Sequence, residues 1–132
     1  MKIKTADLIG PTLDFAVANR EGEDVVAWYT TDREAYFVVL AYAFVDKERM
    51  TTYPDPEETY YPSFHWAHGG PIIQRENIDI MHVRQADLSV VWCATRDSGE
   101  TEFVGPTPLI AAMRCYVASK LGDEVEIPDE LT

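Results

Sequence analysis

Basic side chains are scarce in this chain. Lysine and arginine number 11 against 23 aspartates and glutamates, a formal net charge of −12. Nucleic-acid binding relies on clustered cations that displace counterions from phosphate, so a direct nucleic-acid surface is excluded. Acidity of this size serves solubility, or it presents a decoy surface that imitates nucleic acid and occupies a basic groove on another protein. Cysteine is limited to Cys93 and Cys115. They form no C-x-x-C pair, which removes redox and zinc-knuckle readings and leaves two thiols suited to the cytoplasm. Long hydrophobic runs are missing too. The longest, Ala35 to Val45, is about half the ~20 residues of a membrane-spanning helix. Asp7 interrupts the stretch where a secretion signal would be apolar, so a cytoplasmic location is expected.

What is present suits a folded domain. The 132 residues are 46% hydrophobic and 26% charged, ordinary globular values for a chain large enough to bury a core. The expectation is one α+β domain over 1–132 with no separate linker. Thr5 to Ile9 reads as a helical turn stopped by Gly10. Pro11 then opens a helix with Leu13, Ala16, Val17 and Arg20 on one face, and Gly22 ends it. Residues 24–30 are β-branched and aromatic and suggest a short strand. Thr31-Asp32-Arg33-Glu34 has capping-box spacing and favours a largely buried helix on to Arg49. Tyr36, Val38, Leu40, Tyr42 and Phe44 also alternate as a strand does, and strand stays the alternative.

Prolines, a glycine pair and aromatics make 51–70 a long ordered loop, with Pro71 opening the next helix and Asn77 ending it. Leu88, Val90, Trp92 and Ala94 alternate with the period of a strand. With a return over Thr101 to Val104 they predict an antiparallel hairpin near 87–104. Thr107, Pro108 and Gly122 bracket a helix near 107–121 with Leu109, Ala112, Met113, Tyr116, Val117 and Leu121 as its stripe. Val125, Ile127 and Leu131 are the anchors expected in the tail.

Few constellations carry chemistry. His65-x-x-His68, joined by His82 or Cys93, falls short of the three or four defined ligands of a metal site, and packing is the better reading. Pairing Cys93 or Cys115 with a histidine for nucleophilic catalysis is equally unsupported. The helix starts at Gly69-Gly70-Pro71 and Gly105-Pro106-Thr107-Pro108 could hold an anion, but their prolines remove amides and simple initiation explains them. No metal or cofactor is expected. The stretch Tyr60 to Gly70 stands apart, since it gathers aromatic and imidazole groups in a proline-braced segment. It either caps the core or walls a binding site. On the second reading Tyr61, Ser63, Trp66, His68, Gly69, Gly70 and Ile72 meet the ligand or partner, with Gly69-Gly70 as a hinge.

Tyr61-Pro62-Ser63-x-x-Trp66-Ala67-x-Gly69-Gly70-Pro71-Ile72-Ile73-x-Arg75-Glu76 resembles the NinX-like family of phage and prophage proteins. So do Gly105-Pro106-Thr107-Pro108 through Gly122, Lys4-Thr5-x-Asp7-Leu8-x-Gly10, and Leu13-Asp14-x-Ala16-Val17-Ala18. The stretch from Glu23 to Thr59 carries none of that pattern. The resemblance implies a phage accessory protein acting in the bacterial cytoplasm and transfers no catalytic residues. The leading expectation is a non-enzymatic binding protein whose partner is a host protein or a small molecule. No membrane or nucleic-acid contact is expected, and a homodimer is left open. A sponge for a nucleotide signal and an acidic nucleic-acid mimic are the alternatives, with enzymatic activity last.

Overall fold

A helix that starts on a capping threonine and runs over seven fully or nearly buried residues forms the axis of the protein. The computed structural model describes residues 1–29, 36–40, 59–96, 99 and 101–132. Its described elements in chain order are β1 (Lys2–Lys4), a 3-10 turn (Thr5–Asp7), α1 (Pro11–Glu21), β2 (Val25–Tyr29) and β3 (Tyr36–Leu40). They continue with α2 (Trp66–Arg75), β4 (Asp79–Arg84), β5 (Val90–Arg96), β6 (Thr101–Gly105), α3 (Pro108–Leu121), β7 (Glu124–Glu126) and a closing 3-10 turn (Asp129–Leu131). All described strand pairings are antiparallel, in the orders β1-β7, β2-β3 and β4-β5-β6. The class is α+β, with one hydrophobic core cluster shared by these elements.

The axis is α3. The Thr107 side chain accepts the Ile110 amide at 3.2 Å and Pro108 occupies the first turn, so the cap and start match the sequence expectation. Leu109, Ala112, Met113, Tyr116 and Val117 are buried, while Leu121 at the end is exposed. Ala111, Ala112 and Cys115, all 0% exposed, keep one flank of the helix slim, and β4-β5-β6 packs on it. The expected hairpin is there as β5-β6, and β4 extends it through the row Ile80, Ala94 and Phe103, which points to the core. Asp97 and Ser98 of its turn lie outside the described residues.

Helix α1 packs on α3 through Leu13, Ala16 and Val17, and Gly22 closes it in the left-handed conformation at φ 76°. Arg20 is exposed rather than on the buried stripe. In the tail, Val125, Ile127 and Leu131 are buried as expected. Thr5, fully buried, ties this end to the start of the chain: its hydroxyl donates to the Gly122 carbonyl at 2.7 Å and its amide to Asp123 at 2.8 Å.

Two expectations are corrected. Tyr36 to Leu40 is a strand and not part of a helix, because it finds β2 as an antiparallel partner in the register Val25↔Leu40 to Tyr29↔Tyr36. Aromatic and β-branched residues suit that ladder, and tertiary pairing overrode the helical reading. The capping-box residues 31–34 and the remainder to Arg49 lie outside the described residues. The loop expected over 51–70 ends early, since α2 begins at Trp66 and takes Gly69, Gly70 and Pro71 into its interior. Residues 51–58 also lie outside the described residues. Pro71 forgoes only the bond to the carbonyl of Ala67, an exposed residue. Gly69 shows why the helix starts here. A Cβ at this position would lie 2.6 Å from Leu109 Cδ2 and 2.6 Å from the Pro62 carbonyl oxygen. It is a close-approach glycine, not a hinge.

Candidate functional site: a braced aromatic surface

The aromatic stretch leaves the edge of β3, where the Tyr60 amide donates to the Val38 carbonyl at 2.8 Å. A tight turn follows, in which the Phe64 and His65 amides both donate to the Tyr61 carbonyl, at 3.0 and 2.8 Å. The turn is pinned from below by a single buried carboxylate. Asp14, in the first turn of α1 and 5% exposed, accepts the Ser63 amide at 2.8 Å. Burial pushes the Asp14 carboxyl up to about 7, against the opposing pull of the Ser63 hydrogen bonds. The structure therefore joins two of the segments that carried the family resemblance at one bond.

From the other side, His68 of α2 reaches back, and its Nδ1 accepts the Tyr61 amide at 3.2 Å. An accepting Nδ1 leaves the proton of the neutral ring on Nε2. Burial, with neighbouring His65 next, lowers the His68 pKa from its usual value. His65 Nδ1 is enclosed without a hydrogen-bond partner.

The rings form a continuous series. Phe64 stacks on Tyr61 at 6.3 Å and 18°, Tyr61 on His65 at 4.8 Å and 16°, and His65 meets His68 edge-on at 4.6 Å. His68 then stacks on Tyr60 at 5.2 Å. The inner end, Tyr60, is 8% exposed, whereas Phe64 is 79% and Trp66 54% exposed. The series runs from core to solvent.

The residues expected at the site divide accordingly. Ser63, Gly69 and Ile72 are buried and face inward, Tyr61, His68 and Gly70 are half-buried, and Trp66 is on the surface. Trp66 therefore does not fill the core. Sequence reasoning passed over Phe64, the most exposed ring, and Asp14, whose place beside Leu13 on a buried helical face was the available signal.

A second polar feature braces α2 at its far end. Arg75 grips Glu21 of α1 through both terminal nitrogens, at 2.9 and 2.8 Å, and lies over the Tyr116 ring, whose hydroxyl also donates to Glu21. Glu76 receives Arg75, Arg96 of β5 and Lys120 of α3 at 3.0, 3.2 and 2.9 Å. Arg75 holds Glu21 below the usual carboxylate range, and Lys120 does the same for Glu76. Burial, then Glu21, pushes the Tyr116 phenol up to about 12. These ion pairs lock α1, α2, β5 and α3 together.

Cys93 and Cys115 are both buried thiols, and burial pushes Cys93 up, away from the thiolate a nucleophile needs. Among the described residues, no three His, Cys, Asp or Glu side chains converge on a metal position. No described helix is long and apolar enough to cross a membrane.

Fold and site together define a small α+β protein that holds an aromatic surface on a rigid support. The profile of the family described as Bacteriophage P22, NinX matches residues 4–120, and the chain belongs to that family. It is a phage accessory protein on this ground, and the match runs through the middle stretch from Glu23 to Thr59. No curated protein matches the chain.

Proposed function

We propose that this protein is a non-enzymatic binding protein, acting in the bacterial cytoplasm, which docks a host component on Phe64 and Trp66. One observation carries the reading: two large rings stand exposed on backbone fixed by Asp14, His68 and the Gly69 contact. Exposed aromatics on a preorganised support are the usual anchors of interfaces, because little conformational entropy is lost when they are covered.

The test is recovery of partners from phage-bearing cells with the parent protein and with Trp66→Ala and Phe64→Ala. Both variants should keep their melting temperature within a few degrees, since neither ring fills the core, and both should lose the partner. A collapse of the melting temperature, as expected for a core truncation of about 3–5 kcal/mol, or unchanged recovery with both rings gone, would end this reading. Parent protein that carries a low-mass ligand and no protein would favour the small-molecule sponge instead.

A further inference from the structure

The ring series raises the question of what chemistry suits its open end. From Thr59 to Gln74 the sequence holds no Asp, Glu, Lys or Arg, so the surface offers π faces without a fixed charge of its own. An acidic group bears on its inner end. Glu23, just past α1, bears electrostatically on both His68 and Tyr60, the inner members of the series. It is exposed and forms no ion pair among the described residues, unlike Glu21 and Glu76, whose charges Arg75 and Lys120 neutralise. Asp24 follows it, exposed as well. The whole chain carries −12.

A planar anion such as a nucleotide would stack but be repelled, and a neutral apolar side chain would gain nothing from the acids. A planar cation gains from both. We infer that the exposed Phe64 and Trp66 receive an arginine-bearing, basic segment of a protein partner, its guanidinium stacked on an exposed ring and steered by the surrounding negative field. This deepens the proposed docking function and rests on it. It also gives the acidity a task at a specific place, since a net negative field accelerates encounter with a basic partner in a salt-dependent way.

The probe is a fluorescein-labelled peptide of alternating arginine, glycine and serine, followed by anisotropy. Its lysine counterpart keeps the charge without the plane, and its citrulline counterpart keeps the plane without the charge. The arginine peptide should bind most tightly and weaken as salt rises, the lysine peptide should bind more weakly, and the citrulline peptide should not bind. Phe64→Leu, which keeps apolar bulk, and Trp66→Ala should each weaken the arginine peptide about twofold to fivefold, the scale of one exposed cation–π contact.

Failure of the arginine peptide to bind overturns the inference, as do equal binding of citrulline and arginine peptides or undiminished binding after both rings are removed. So does tighter binding of a short single-stranded DNA. If Trp66→Ala still abolishes recovery of a partner from cells while the arginine peptide fails, the docking function stands and only the partner's chemistry is wrong.

Discussion

Asp14 concentrates an unusual amount of consequence in one side chain. Its carboxyl is held at about 7 in the folded protein, against an ordinary value of 3.8. The folded state therefore retains a proton that the unfolded chain has released, and stability falls as pH rises from about 4 through 7. Asp14→Asn keeps an oxygen for the Ser63 amide and removes the charge. The variant should be more stable than the parent above pH 7, by on the order of a few kcal/mol, and the difference should vanish near pH 4. Urea melts at the two pH values check this, and a parent more stable at pH 8 would refute it.

The glycine pair provides a second contrast at the same scale. Gly69→Ala forces a methyl against backbone at the Pro62 carbonyl, whereas Gly70 has nothing within 4 Å of an added Cβ and sits in a helix. Gly69→Ala should destabilise by about 1–3 kcal/mol, and Gly70→Ala should stabilise by about 0.5–1 kcal/mol. Thermal melts of the two variants give opposite signs if α2 begins where it is seen to begin.

Among the elements, legibility followed how local the signals were. Helix α3 was readable because its cap, proline, stripe and terminal glycine all lie within its own sequence. Removing the cap with Thr107→Ala should cost about 1 kcal/mol, and Met113→Asp, at a fully buried position, should leave little folded protein, measured as soluble yield and melting temperature. Strand β3 stayed undecided between helix and strand for the opposite reason. Its conformation is set by β2, and a run of Tyr-Phe-Val-Val-Leu has no polar alternation to announce the pairing. Strand β4 went unassigned, since Asp79, His82 and Arg84 break its apolar pattern and only Ile80 of its inward row enters the core. The start of α2 was hidden by local signs that pointed elsewhere: two glycines and a proline read as a break, while a contact with Leu109, far along the chain, was what required the glycine. The site itself was half legible. Its aromatic composition marked the place, but which rings face solvent depended on the Asp14 and His68 bonds, and neither follows from spacing.

At the scale of the whole molecule, charge is the dominant property. With −12 and its basic residues scattered along the sequence, the protein should show no salt-sensitive complex with duplex DNA at physiological ionic strength, and fluorescence anisotropy with a labelled duplex would reveal one if it existed. Four of the eleven cations are engaged by partners within the structure. Arg75, Arg96 and Lys120 serve Glu21 and Glu76, and Arg114 donates to the carbonyls of Leu8 and Val104 at 2.8 and 2.9 Å.

The pairing of β1 with β7 has a kinetic implication. The Thr5 hydroxyl and the Gly122 carbonyl are separated by 117 positions, so this ladder closes a loop spanning nearly the whole domain, and the entropy of that closure can be recovered only after the intervening core has formed. The ladder is three residues long and its outward positions are exposed. It is thus the seam at which the native protein opens first and shuts last. In native-state hydrogen exchange the Thr5 amide should trade its proton through a partial opening, sooner than amides in the middle of α3, even though Thr5 is as deeply buried as Met113.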